Sequence, residues 1–566
     1  MNLPTRGLPK TLPRAAAVTI PSRRRKLNRN MKTAQAQDRD RTVYPWYVLG
    51  VLFLVYVFNF IDRNILSILA QDIKASLHVD DAELGFLYGT AFAIFYSLFG
   101  IPLGRLADRW YRGRLIASGL AVWSLMTAAS GLASSFTQLA LARVGVGIGE
   151  ASATPAAYSL LADHFPVSRR ASAIAIYSAG LFVGAGLSLP LGGWIEHAWS
   201  SAYASGAAPF GLAGWQAAFL GVGLPGLALA LWVWSLREPK RGSSEAQNLP
   251  VHGPGAFAEF VRELAAILPP FTLASAARIP GGLKLNLGML ALIVIGAAVL
   301  VRLTHDFAQW IGFAVGVYAI ASWCQTLAAR DRPAFTLILG TRAVVLALLG
   351  FGGIGFIVYS LTFWVPPYTI RSFGIAPQAA GTALGVPSGI AAALGCVAGG
   401  YLSDAWKRRD PRGRLFVCAA GILTVAPLTA IIVDTRDVRV IYALNPVMSV
   451  AVYTYLGSGA AAIQDCVLPR MRGVAGAIYL LSLSILGLAL GPYTTGKVAA
   501  LTGSLRIGIL AMLAVVPLTL LLLWLAARGI GEAEASREER ARNAGEHRGG
   551  GPASPASDYC AAPGCD

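Results

Sequence analysis

The sequence predicts an all-α polytopic membrane protein: two pseudo-symmetric six-helix bundles with two extra helices between them. Three observations carry this reading. Hydrophobic residues make up 55% of the 566 residues and charged residues only 13%, with mean hydropathy +0.57, whereas a soluble domain carries about 25% charged residues. Apolar runs long enough to cross roughly 30 Å of hydrocarbon recur along the chain. A charged turn in the first half also returns, in the same order, in the second.

That turn, Gly104 to Leu115, reads GRLADRWYRGRL and follows an uncharged run from Leu84 to Leu103, as a helix leaving a membrane would. Its echo, Gly400 to Arg409, reads GYLSDAWKRR, with Asp404 in the place of Asp108 and Arg408 in that of Arg112. A second pair follows: Asp163, Arg170 and Tyr177 have the same spacing as Asp465, Arg472 and Tyr479. The offsets nearly agree, since 404 minus 108 gives 296 and 465 minus 163 gives 302. Two anchors repeated in order mark a duplicated half.

Residues 1–43 form a basic arm, with Arg23, Arg24, Arg25 and Lys26 clustered and Asp38 and Asp40 its only acids. It is expected to be disordered and cytoplasmic beside anionic lipid; a transit peptide, or a start at Met31, stay open as alternatives. Residues 44–236 hold the first bundle, with helices expected near 46–70, 84–104, 114–134, 137–163, 170–195 and 214–236. Residues 237–335 are a linker: polar from Arg237, amphipathic near Phe257 to Leu268, then apolar at 285–301 and 308–328. These two extra helices are expected to form an appendage outside the twelve-helix core, joined by a loop carrying a solvated His305. Residues 336–527 hold the second bundle, with helices near 339–370, 379–403, 414–433, 438–463, 472–497 and 503–527. The tail, 528–566, mixes arginine with glutamate before a Gly, Pro and Ser-rich end and is expected to be disordered.

Orientation follows the positive-inside bias. The arm, the 104–114 turn and the turns holding Arg169-Arg170, Lys407-Arg408-Arg409 and Arg470-Arg472 are assigned to the cytoplasm, while 71–83 carries four acids against Lys74. Both termini then lie inside, in a bacterial inner membrane.

The formal charge of +18 sits in short loops and the arm, not along one soluble face, which argues against nucleic acid. Cys324, Cys396, Cys418 and Cys466 lie in or beside apolar runs without paired spacing and read as packing residues. Gly491 to Lys497, GPYTTGK, lacks the Ser or Thr of a phosphate loop because Val498 follows, and it continues a membrane helix. No HExxH or Gly-x-Ser-x-Gly motif is present. No catalytic residue, metal or cofactor is assigned, and the chain is not read as an enzyme.

The first helix carries Asn59, Asp62 and Arg63 after sixteen uncharged residues, too few to span, so these groups are expected within the membrane. An ionisable side chain there costs on the order of 3 kcal/mol and is paired or faces a wet cavity. The fourth helix supplies partners, Arg143 and Glu150, seven residues and two turns apart on one face. Asp62, Arg63, Arg143 and Glu150 are therefore the candidate substrate and proton-coupling residues; a purely structural salt-bridge network is the competing reading. Gly-x-x-x-Gly pairs at Gly145/Gly149, Gly180/Gly184, Gly381/Gly385/Gly389, Gly395/Gly399 and Gly487/Gly491 favour close, sliding helix contacts.

The duplicated turn resembles the signature loop of the major facilitator superfamily over roughly Tyr44 to Ala527, with Tyr111 in place of the second glycine and an unusually long connector. The resemblance implies the major facilitator fold. It also implies a conformational gate of Gly104, Asp108, Arg109 and Arg112 with Gly400, Asp404 and Arg408, in which Asp108 caps a second-half helix in the outward-facing state. Asn59-x-x-Asp62-Arg63, then RVGVGIGEAS from Arg143 to Ser152 and DHFP from Asp163 to Pro166, resemble the Spinster-like branch. That resemblance implies lysolipid or sphingoid-type amphiphiles as substrates and carboxylates at Asp62 and Glu150 that respond to protons.

The leading expectation is a monomeric secondary transporter that moves a small amphiphile by alternating access, coupled to protons, with the bilayer as its surroundings. A passive facilitator or lipid scramblase is the alternative, and a non-transporting receptor or scaffold is a third. Asn59, Phe92, Tyr96, Tyr359 and Trp364 are the expected cavity lining.

Overall fold

The structure, a computed structural model, describes residues 22–239, 241 and 255–546. Its first half consists of α1 (Ser22–Leu77), α2 (Asp81–Ala107), α3 (Arg112–Ser130), α4 (Phe136–Glu150, resuming as Ala153–His164), α5 (Val167–Ala202) and α6 (Gly214–Trp234). The connector carries α7 (Ala256–Ile267), α8 (Gly282–Thr304) and α9 (Phe307–Arg330). The second half is α10 (Arg342–Phe373), α11 (Pro377–Lys407), α12 (Gly413–Asp434), α13 (Val438–Asp465), α14 (Pro469–Thr502) and α15 (Leu505–Ala535), followed by α16 (Arg537–Asn543).

Twelve of these helices are long and apolar enough to cross a membrane, α8 and α9 among them. The two core helices outside that set are α3, which opens on Arg112-Gly113-Arg114, and α4, which is broken after Glu150 and carries Arg143. Polar spans of this kind are stable only when enclosed by neighbours, and Arg143 and Glu150 are both buried.

Helix ends follow local chemistry. Asp80 opens α2 with a capping box: its carboxylate accepts from the Glu83 N–H at 2.7 Å, and the Asp80 N–H donates to Glu83 at 2.8 Å. Within α14 the helix loosens into a π-helical stretch, Leu483–Leu488, beside the break in α2 at Gly89. A Cβ at Gly89 would stand 2.4 Å from the Leu488 carbonyl oxygen, so only glycine fits there.

The halves meet along two seams, α2 against α14 and α5 against α11. At the second, a Cβ on Gly389 would stand 2.8 Å from the Gly186 Cα, a backbone-on-backbone contact. The expected glycine pairs lie at helix contacts of this kind, Gly149 against Trp123 and Gly487 against Gly355.

The structure differs from the expectation at both ends. The backbone is helical from Ser22, because the stretch rich in Arg, Lys, Gln and Ala is made of good helix formers and continues α1; residues 1–21 lie outside the described residues. The tail is ordered past 528: Arg537 donates to the Asp465 carbonyl at 2.6 Å, Glu534 pairs with Lys407 at 2.8 Å, and Glu546 pairs with Arg470. Its mixed charges find partners on the loops above them; residues 547–566 lie outside the described residues. The two extra helices, α8 and α9, are joined by His305 in the left-handed region at φ 63°.

A charged site between α1 and α4

Asp62 and Arg63 are neighbours on α1 and point to different partners. Arg63 Nη2 donates to Glu150 Oε2 at 2.6 Å, and neither side chain exceeds 10% exposure. The Arg63 guanidinium also lies over three rings: Phe92 at 4.4 Å, Phe60 at 4.8 Å and Tyr96 at 5.0 Å from their centroids. Aromatic faces hold a cation without neutralising it. Asn59, one turn earlier, is buried and lies beside Glu150.

Arg143 turns the other way. It donates to two backbone carbonyls, Asp62 at 3.3 Å and Leu87 at 3.4 Å, which ties α4 to α1 and α2. Both oxygens of the fully buried Asp62 carboxylate are without a hydrogen-bond partner, as are Arg143 Nη2, Glu150 Oε1, Trp123 Nε1 and Thr127 Oγ1. Trp123 and Thr127, on α3, face Asp62. Buried polar groups left open are rare, and each has a cost on the order of 1–3 kcal/mol. The four charged residues singled out from the sequence therefore gather in one place, as one closed pair and one open carboxylate. The α3 donors were not anticipated, since Trp and Thr carry no charge to draw attention in a sequence.

An apolar pocket lies between α5 of the first half and α10, α11 and α13 of the second. Phe182 and Leu189 of α5, Leu361, Thr362 and Val365 of α10, and Met448 and Tyr453 of α13 are among its lining residues. Its polar lining residues include Asn445, which donates to Ser388, also of the lining, at 2.7 Å. Tyr359 lies on α10 beside the lining residue Val358, within electrostatic reach of Arg63. Trp364 is placed elsewhere: its indole donates to the Pro492 carbonyl at 2.8 Å, packing α10 on α14 rather than lining the pocket. Phe92 is fully buried beneath Arg63, and Tyr96 is partly exposed beside it.

The two duplicated turns stand at the arginine-rich end, the first in a network shared with the connector and the second in a network of second-half residues. Arg112, almost fully buried, pairs with Asp163 at 2.5 Å and Glu238 at 2.7 Å. Gly104 packs near Pro155. Asp108 lies among Arg241, Arg105, Arg109 and Arg112; desolvation by the surrounding chain pushes its carboxyl up, against the pull of those guanidiniums. Arg109 reaches Glu259 of α7 at 2.5 Å. In the second half Arg408 does not occupy the place of Arg112. Asp465, the counterpart of Asp163, is held instead by Lys407 and by Arg414 at 3.0 Å, and Arg414 also reaches Asp404 at 3.2 Å. The signal was a second echo: Arg-Gly-Arg-Leu stands at both 112–115 and 412–415. The second turn is thus longer, which displaces its basic residues relative to Asp404. Gly400 has open space where a Cβ would be.

Among the described residues, hydrogen bonds and ion pairs that join the halves directly lie toward the opposite end. Arg371 of α10 binds Asp81 of α2 through two bonds of 2.8 Å and reaches Gln71 of α1 at 3.1 Å. Ser67 donates to the Phe363 carbonyl at 2.6 Å, and the Tyr88 and Phe363 rings stack at 4.5 Å. The cleft is closed at that end.

A family model described as Major Facilitator Superfamily matches residues 52–492. An MFS-type efflux pump of Mycolicibacterium smegmatis is 28% identical over 463 residues, covering 82% of this chain and 86% of the relative. A probable galactarate/D-glucarate transporter of Escherichia coli is 22% identical over 503 residues, covering 86% and 95%. Among solved structures, a bacterial homologue of the human lysosomal transporter Spinster, in an inward-facing and unoccupied conformation, aligns with TM-score 0.63 at 26% identity, covering 88% of this chain and 98% of that one.

Proposed function

Because the chain belongs to the Major Facilitator Superfamily, and is an integral, multi-pass membrane transporter, we propose that it moves an amphiphile with an anionic headgroup, of the lysophospholipid kind, by proton-coupled alternating access. The observation that carries this is the Arg63–Glu150 pair at 2.6 Å, set on aromatic rings, together with an apolar pocket between the halves. Arginine keeps its charge at any accessible pH, so the proton belongs to a carboxylate. Protonation of Glu150 removes the anion that occupies Arg63. A phosphate or carboxylate of the substrate then takes that place, and the acyl chain lies in the pocket lined by α5, α10, α11 and α13. Loss of the proton on the other side restores the pair and expels the headgroup, so one guanidinium serves two anions in turn. The arginine-rich end is read as cytoplasmic by its charge bias, with both termini on that side.

The test is uptake of a fluorescent lysophosphatidylglycerol into proteoliposomes with an imposed pH gradient. Accumulation that follows the gradient is expected. Equilibration that ignores the gradient would leave a passive facilitator, and no uptake at all would remove the lysophospholipid reading.

A further inference from the structure

The α8–α9 hairpin is more than an appendage, and its contacts define what it can do. Hydrogen bonds between α8 and α9 make it a unit: Asn286 donates to Ser322 at 3.0 Å and to Gln325 at 2.9 Å, and accepts from Tyr318 at 2.6 Å. Outside that unit, α9 is pinned at both ends to a single helix of the second half. At one end Asp306 pairs with Lys497 of α14 at 2.7 Å and accepts from Tyr493 at 2.6 Å, while Lys497 also donates to the Thr304 carbonyl at 2.7 Å. At the other end Asp331, just past α9, accepts two bonds from Arg470 at 2.8 and 3.3 Å. Residues 306 and 331 against 497 and 470 describe an antiparallel pair of helices.

Between the pins, α9 lies over α2 of the first half, and the contact is of another kind. A Cβ on Gly312 would stand 3.4 Å from Thr90, and Gly316 faces Ile94. The polar exception is buried: the Thr90 hydroxyl lies 2.7 Å from both Gln309 Oε1 and the Ala489 carbonyl of α14, and one proton serves either acceptor. Ion pairs hold a fixed partner, whereas a glycine surface permits sliding. The α2–α14 seam is one of the two boundaries along which the halves must move.

We propose that α9 is a strap carried by α14 across the α2–α14 seam, covering it on the bilayer side while α2 slides beneath. The first half remains loosely tethered at the arginine-rich end by α7, whose Glu263 reaches Arg330 at 3.4 Å and whose Glu259 holds Arg109. That tether is more exposed than the pins to α14, with 58% and 53% of the arginine side chains open to solvent, and is the weaker link.

Spin-label distances in the full-length protein, with its native cysteines replaced, test this. One pair joins strap to α14 (Ala308→Cys with Leu501→Cys), and another joins strap to first half (Ala308→Cys with Ser76→Cys); all three positions are exposed. In the parent, the strap–α14 distribution is expected to be narrow. Releasing both pins with Asp306→Asn and Asp331→Asn is expected to broaden it, and exchanging charges with Asp306→Lys and Lys497→Asp, Asp331 being kept, is expected to leave it narrow. On opening the far end with Arg371→Gln, the strap–first-half distance should lengthen while strap–α14 holds. A strap that instead follows Ser76, or a strap–α14 distribution indifferent to loss of both pins, would overturn the proposal. The distances read conformation alone, so they stand whether or not a lysophospholipid is the substrate.

Discussion

Arg63 and Glu150 close a 2.6 Å ion pair inside the first bundle, while Asp62, the residue before Arg63, leaves both carboxylate oxygens open. The two carboxylates of one buried site therefore stand in different surroundings. Removing one partner of a buried pair strands the other charge, at about 3–5 kcal/mol. Glu150→Ala is expected to lower the melting temperature sharply for that reason. Glu150→Gln, which keeps an acceptor for Arg63, is expected to fold, to retain lysophospholipid binding and to lose pH-driven accumulation. Thermal unfolding in detergent and proteoliposome uptake separate the two effects.

Asp62→Asn should behave differently, because no ion pair holds the carboxylate. Replacing an open, fully buried carboxyl with an amide of the same size breaks no ion pair, so the melting temperature is expected to stay or rise. Gradient-driven uptake is expected to fall. A large loss of stability would instead mean that Asp62 is a structural partner of Arg143.

Arg371→Gln breaks the two 2.8 Å bonds to Asp81 that tie α10 to α2 at the far end. Bidentate pairs are the stronger kind, so the population with that end open is expected to grow. A label pair at Ser76 and Ser372 reads it as a longer distance. Asp81→Asn should do the same, and an unchanged distribution in both variants would deny this pair any gating role.

The duplication and the intramembrane charges were legible because each departs from a strong background: charges are rare in apolar spans, and a repeated charged turn is rarer. The partners were not. Arg63 pairs with Glu150 rather than Asp62 because adjacent residues on a helix are about 100° apart, and only the packing of α4 decides which one meets the cleft. Aromaticity alone points Trp364 to the cavity, but the side of α10 that it occupies faces Pro492. Order in the tail was missed because its arginines and glutamates find their partners on loops far away in the chain, such as Asp465 and Arg470.

Asp108 supplies the prediction that links pH to conformation. Here it stands among Arg105, Arg109 and Arg112 of its own half and Arg241 of the connector, and desolvation raises its carboxyl above the ordinary range despite those guanidiniums. A carboxyl raised in one state and ordinary in another favours the first as pH falls: the penalty on the charged form is fully present above the raised value and is gone below the ordinary value near 3.9. With an ordinary carboxyl in the far-end-open state, Asp108 would shift the balance toward the conformation seen here as pH falls. If the aspartate caps a second-half helix when the far end opens, an anion at that positive end contributes about 0.3–1 kcal/mol to the open state. Asp108→Asn removes that contribution and the penalty together. The variant is expected to stay folded, to populate the far-end-closed state more than the parent at neutral pH, and to lose the part of the pH response that Asp108 supplies. Label distances between Ser76 and Ser372, taken from pH 4 to pH 8 in both proteins, decide it; identical titrations would leave Asp108 with a topological role only.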